Sequence, residues 1–227
     1  MTILEHLREL RTRLIITGIA VAIGMAIAAF FLTWPVIRLL TAEPAGLNLV
    51  ALRPTETFVT YFKVALVTGT ALAMPVIVWQ VLLFVIPALH SHERRYALLA
   101  VPFITVAFAA GLAFGFFIVI PSAVRFLTGF GGDVIGQYWS IEEYLTFVTT
   151  LLFWIGLSFE TPIVMFFLAK LGVVKPRTLG RFRRYAVVGA FLIAAMITPT
   201  PDPFNQALVA IPMYLLYELG VFMARFA

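Results

Sequence analysis

The chain contains no cysteine, which excludes a disulfide framework, an iron–sulfur cluster and a thiolate nucleophile. Charge is scarce as well: 12% of the 227 residues are charged, against about 25% in an average soluble domain. Histidine occurs only at His6, His90 and His92, each in a short polar stretch. His90 and His92 with Glu93 come nearest to a ligand set, and they read as plain interfacial residues, so no metal is expected. The glycine-rich stretch 129–136 is not followed by a P-loop lysine. No cofactor is expected, and no nucleotide hydrolysis by this chain drives its work.

What remains is apolar. Hydrophobic residues make up 62% of the chain and the mean hydropathy is +1.03. That much apolar surface cannot be hidden in one water-facing core. The expected fold class is all-α, a single transmembrane domain over 1–227. A spanning helix needs about 20 apolar residues to cross about 30 Å of hydrocarbon. Strong candidates lie at 14–34, 58–89, 96–124 and 144–169, and a closely spaced pair follows at 185–198 and 206–224. Pro199, Pro201 and Pro203 break the chain between the last two. The fifth run, at roughly 1.5 Å per residue, is too short to span unaided. Pro75 and Pro212 mark expected bends. The first run is too long for a cleaved signal peptide, and no small-residue cleavage site follows it.

Basic residues fix the orientation. Arg8, Arg11, Arg13, Arg94, Arg95, Lys170, Lys175, Arg177, Arg181, Arg183, Arg184 and Arg225 fall on one side of the six runs; Arg38, Arg53, Arg125 and Lys63 fall on the other. The positive-inside bias places both termini in the cytoplasm. The net charge of +5 therefore reflects membrane topology and does not call for a nucleic-acid partner. No repeat relates the two halves, which counts against an inverted-repeat transporter. Gly111 and Gly115 form a small-xxx-small pair expected to serve helix packing. Ser140, Ile141, Glu142 and Glu143 read as a capping box opening the fourth run.

Three polar features need an explanation. Leu4, Leu7, Leu10 and Leu14 give the N-terminal segment an amphipathic pattern, with Glu5, Arg8, Glu9, Arg11 and Arg13 opposite. Glu9 and Arg13, four apart, are either an interfacial ion pair or one side of a recognition groove. Glu93 lies in a short basic loop after Pro87 and is ambiguous alone. Glu160 stands inside the fourth run, where a carboxyl costs about 2.5–3.5 kcal/mol at a helix centre and marks a functional candidate. Its bland role is a bond to the Ser158 carbonyl freed by Pro162. Thr198 and Gln206 bracket the short pair, where an incoming helix can bond to them. Asp202, in the proline turn, suits a turn-forming role. A solute transporter using Glu160 as its titrating group is the alternative that these residues leave open. An intramembrane hydrolase is disfavoured, since no paired carboxylates or Ser–His pair falls at membrane depth.

The stretch His6-Leu7-Arg8-Glu9-Leu10-Arg11-Thr12-Arg13-Leu14 is similar to the opening motif of the TatC family of twin-arginine, Sec-independent protein translocases. Phe84, Pro87, Ala88, Leu89, Glu93, Arg94 and Arg95 resemble that family's first cytoplasmic loop. Ser158-Phe159-Glu160-Thr161-Pro162 resembles its fourth-helix acidic motif, and Thr198 through Gln206 with Ala210, Ile211, Pro212, Met213 and Tyr214 its closing hairpin. The turn carries more proline than the family pattern. The resemblance implies a six-helix, concave, cup-like bundle in a bacterial or archaeal cytoplasmic membrane. It implies a non-enzymatic receptor for folded proteins carrying twin-arginine signal peptides. Glu9 and Glu93 match the positions that recognise the arginine pair, Arg11 and Phe84 support them, and Glu160 matches the intramembrane carboxylate. Implied partners are the single-span translocase proteins TatA and TatB, further copies in a multimeric complex, and membrane lipid, with the proton-motive force as the energy source.

Overall fold

Proline and glycine decide where these helices stop and how closely they approach. The computed structural model describes residues 3–42, 48–85, 94–130, 138–170, 172–198 and 202–227, and is helical over most of them. Helix α1 (Ile3–Ile27) runs through one π-helical turn, Ala28–Leu32, into α2 (Thr33–Ala42). Such a turn carries one extra residue and loosens the backbone ladder. Thr33 compensates by donating its hydroxyl to Ala28 O at 2.8 Å, and Tyr61 donates to Ala29 O from the neighbouring helix.

That neighbour is α3 (Glu56–Val85), which lies along α1. Gly24 and Gly69 make the approach possible: a Cβ on either would land in the other helix's backbone. Helix α4 (Arg94–Phe114) passes through a second π-helical turn, Gly115–Val119, into α5 (Ile120–Gly129). The expected packing role of the small pair is what the structure shows, since a Cβ on Gly111 would sit 2.8 Å from Gly156 Cα, and one on Gly115 2.9 Å from Leu152. Helix α6 (Ile141–Lys170) is the hub, touching α3, α4, α8 (Arg183–Ile197) and α9 (Pro203–Met223). Leu145, Val148, Leu151 and Ile155 of α6 are almost wholly buried against Val119, Ala123, Ala194, Val209 and Ala210. A short helix, α7 (Pro176–Arg181), precedes α8.

Among the described residues, five helices are long and apolar enough to cross a membrane: His6–Ala42, Glu56–Phe84, Val101–Gly129, Ile141–Lys170 and Pro203–Phe226. The fifth expected span, α8, has 15 residues and extends about 22 Å, short of the roughly 30 Å of hydrocarbon. Large side chains on the outer surface, Ile23, Phe30, Phe31, Val106, Phe117 and Leu192 among them, are exposed as a lipid-facing surface requires.

Two expectations change. The amphipathic N-terminal segment is the first turns of α1 rather than a separate interfacial helix. Its leucines face outward, Leu7, Leu10 and Leu14 being 55%, 37% and 62% exposed, while Glu9 and Arg13 turn inward toward α3. The fold also contains a small sheet. Strand β1 (Asn48–Val50) pairs in parallel with β2 (Tyr138–Ser140), with Leu49 opposite Trp139. This pair tethers the two loops at the end of the bundle opposite the N-terminus.

Candidate functional site

At the N-terminal end, Glu9 and Arg13 are one helical turn apart, so their side chains meet on one face of α1. Arg13 Nη2 lies 3.1 Å from Glu9 Oε1, and Arg13 Nη1 donates to Gln80 Oε1 at 3.1 Å. Gln80 is buried on α3, and the Glu9 side chain is only 18% exposed. Arg13 Nε is buried with no partner among the described residues. One turn further out, the His6 ring stacks on Phe84 at 4.4 Å between centroids. Glu9 is therefore a sheltered carboxylate whose charge is shared with one guanidinium and oriented from α3.

Phe84 is brought to this rim by its stacking on His6. Arg11 is exposed on another face of α1 and is not brought to Glu9. Glu93 lies outside the described residues. Gln80 and His6 were missed from the sequence. The available signal was an amide standing inside a long apolar run, the same rarity that singled out Glu160.

Glu160 is buried in α6, 5% exposed, and its Oε1 has no hydrogen-bond partner among the described residues. The bland alternative, a bond from Glu160 to the Ser158 carbonyl, is not seen among the described residues. Ser158 donates its own hydroxyl to Trp154 O at 2.7 Å, and Pro162 packs against Gly220 of α9. An unpartnered buried carboxyl is poor structural glue and well suited to an incoming donor.

Thr198, Asp202 and Gln206 lie at the opposite end, in the α8–α9 hairpin, and do not share a site with Glu160. Thr198 donates back to Ala194 O at 2.8 Å. Asp202 caps α9, its Oδ1 accepting from Asn205 N at 2.7 Å with Pro203 at the first helical position. Gln206 Nε2 reaches Phe191 O at 3.0 Å and ties the hairpin shut.

A second polar cluster at that end was not anticipated. Glu56, only 3% exposed, accepts from Leu52 N at 2.7 Å, Arg53 N at 3.0 Å, Glu142 N at 3.0 Å and the Ser140 hydroxyl. Ser140 Oγ in turn accepts from Glu143 N at 3.2 Å. The N-cap half of the expected capping box is thus present. The carboxylate that meets this helix start is Glu56 of α3, which takes the Ser140 hydroxyl and the Glu142 N–H. Lys63 pairs with Glu142 at 2.6 Å beside it, and a cavity of about 1010 Å³ opens there, lined by Trp139, Thr146, Phe147 and Met196.

The chain is similar to known proteins in sequence and in backbone. The family model described as Sec-independent protein translocase protein (TatC) matches residues 5–212. The Sec-independent protein translocase protein TatC of Carboxydothermus hydrogenoformans is 40% identical, covering 100% of this chain and 93% of that protein. That of Aquifex aeolicus is 41% identical, covering 100% and 96%. A crystal structure described as twin arginine translocase receptor TatC superposes with a TM-score of 0.87 at 41% identity, over 97% of this chain and 98% of that one. Sequence, length and backbone geometry agree along the whole molecule, and the chain belongs to the TatC family of Sec-independent protein translocases.

Proposed function

We propose that this protein is the receptor of its translocase and binds twin-arginine signal peptides at the N-terminal rim, on the cytoplasmic face. The observation that carries this reading is the Glu9 carboxylate, sheltered by α3 and held in place by the Arg13–Gln80 relay. An exposed ion pair contributes at most about 1 kcal/mol, whereas truncating one partner of a desolvated pair costs about 2–5 kcal/mol. A sheltered rim is thus where selection by charge becomes effective. Glu9 and Glu93, on separate segments, each receive one guanidinium through a bidentate fork. Lysine is a point charge and cannot reproduce that fork, so a twin-lysine peptide binds less well. Phe84 and His6 offer a flat apolar platform beside the pair, and Arg11 limits the approach to peptides with the right flanking charge.

The apolar part of the signal peptide then lies along the helices toward Glu160. Glu160, lacking a hydrogen-bond partner among the described residues, bonds a polar group on the peptide or on the membrane helix of a single-span partner, TatA or TatB. The chain has no engine of its own, and the proton-motive force acts on the assembled complex. A solute-transporter function draws no support from the relatives, which are protein translocases by name.

With a photoreactive twin-arginine peptide, Glu93→Gln is expected to lower crosslinking at least about tenfold. Asp202→Asn, at the start of α9 in the hairpin at the far end of the bundle, should leave it near the parent value; equal losses would remove the site from this rim. Glu160→Gln is expected to keep the helical content, melting temperature and peptide affinity of the parent. It should lower co-purification of a single-span partner, or transport in vesicles, by about tenfold or more. Loss of folding in that variant would assign Glu160 a structural role instead.

A further inference from the structure

The segment from Lys170 to Arg184 carries Lys170, Lys175, Arg177, Arg181, Arg183 and Arg184 and no acidic residue. It holds more positive charge than the net +5 of the whole chain. Topology accounts for the sign of such a segment, but not for its built shape. Just beyond the end of helix α6 stands Gly172, whose φ of 68° suits a residue without a Cβ. There Gly172 N donates to Ala169 O and Val173 N to Leu168 O, both at 3.0 Å. Helix α7 is pinned to α9 by the Tyr217 hydroxyl on Leu179 O at 2.7 Å, and Arg183 is anchored on Glu218 at 2.8 Å.

The remaining cations are displayed by this scaffold. Lys175, Arg177, Arg181 and Arg184 are exposed and have no carboxylate partner among the described residues. Arg177 and Arg181, four apart on α7, share a face. Arg184 lies 4.9 Å above the Tyr185 ring. Interleaved with them are exposed apolar side chains, Val173, Phe182 and Tyr185, each about half exposed. Guanidinium groups beside aromatic rings, at the end of a helix too short for the bilayer, match the boundary between lipid headgroup and acyl chain.

We propose that this platform is a binding site for an anionic phospholipid. Arg177, Arg181 and Arg184 hold the phosphate, for which guanidinium geometry is suited. Phe182 and Tyr185 sit at the level of the glycerol backbone. A lipid held there fills the annulus beside the short α8 and fixes its depth. The site is independent of the twin-arginine reading and stands or falls by itself.

The test uses the full-length protein, delipidated and re-equilibrated with mixed phosphatidylglycerol and phosphatidylcholine, with retained lipid counted by native mass spectrometry. The parent should retain phosphatidylglycerol over phosphatidylcholine by at least about tenfold, and less at high salt. The Arg177→Gln/Arg181→Gln/Arg184→Gln variant should lose most of that preference. The corresponding triple Lys variant should keep a part, and Arg38→Gln/Arg125→Gln, at the other end of the bundle, should keep it all. An unchanged preference in the triple Gln variant, or an equal loss in the Arg38/Arg125 control, overturns the proposal. If the triple Gln variant does not fold, the parent decides. A preference insensitive to salt overturns the proposal, and so does displacement of the lipid by one equivalent of polyglutamate, which would make the platform a dock for an acidic polypeptide.

Discussion

Gly69→Val is expected to lower the melting temperature of the detergent-solubilised protein by more than about 5 °C and to abolish signal-peptide binding. A Cβ at Gly69 would fall on the backbone N and Cα of Met25, and no rotamer change can relieve a clash with backbone. The helices must separate, at a typical cost of about 1–3 kcal/mol for overpacking and more where backbone is displaced. The loss does not stay local. Arg13 precedes Gly24 on α1 by the same eleven positions by which Gln80 follows Gly69 on α3, so both contacts belong to one antiparallel register. Prying the helices apart at the glycines draws Arg13 from Gln80 and frees Glu9 from its orienting partner. Gly18→Val is the control, since nothing lies within 4 Å of a Cβ there. Thermal unfolding by tryptophan fluorescence and peptide binding by fluorescence anisotropy check both halves of this expectation.

Glu56→Ala should produce a comparable loss of stability, with the damage at the other end of the bundle. The substitution strands three backbone N–H groups and the Ser140 hydroxyl that now converge on one carboxylate. A donor left unpaired away from water costs more than the bond that satisfied it had contributed, and the Ser140 hydroxyl, on a buried residue, is such a donor. The outer loops should then open, with faster proteolysis between β1 and α3 and a red shift of the Trp139 emission. Glu56→Gln should recover little, because its amide nitrogen would face N–H donors. Glu143→Gln, at an exposed side chain, should do nothing measurable. Peptide binding at the N-terminal rim should survive Glu56→Ala in the fraction that remains folded, since among the described residues Glu56 bonds only to groups at the opposite end of the bundle.

The overall architecture was legible because it follows from short-range pattern. Long apolar runs between proline, glycine and charged stretches located the later helices to within a few residues, whereas the first runs from His6 to Ala42, well beyond the expected 14–34 at both ends, and α9 begins at Pro203, ahead of the expected 206. What escaped depends on partners distant in sequence. Glu56 looks like any acid in a first helical turn until Ser140 and Glu142, more than eighty positions away, are placed against it. Gln80 gains its meaning only from Arg13. The face that α1 turns inward could not be read from its leucines, because in a membrane an apolar stripe faces lipid as readily as it faces a neighbouring helix. The two π-helical turns leave no mark in a hydrophobicity pattern. Within the site, Glu9 and Phe84 lie at one rim, whereas Arg11, two positions from Glu9, is presented on another face, since residues two apart on a helix do not share one.

The central claim is that acidic groups at this rim select guanidinium. The most direct measurement is the affinity ratio between a twin-arginine and a twin-lysine signal peptide, taken for the parent and for Glu9→Gln/Glu93→Gln in the full-length protein. The parent should favour arginine by at least about tenfold, and the double variant should bind both peptides weakly with a ratio near one. A double variant that keeps the parent's ratio would contradict the account.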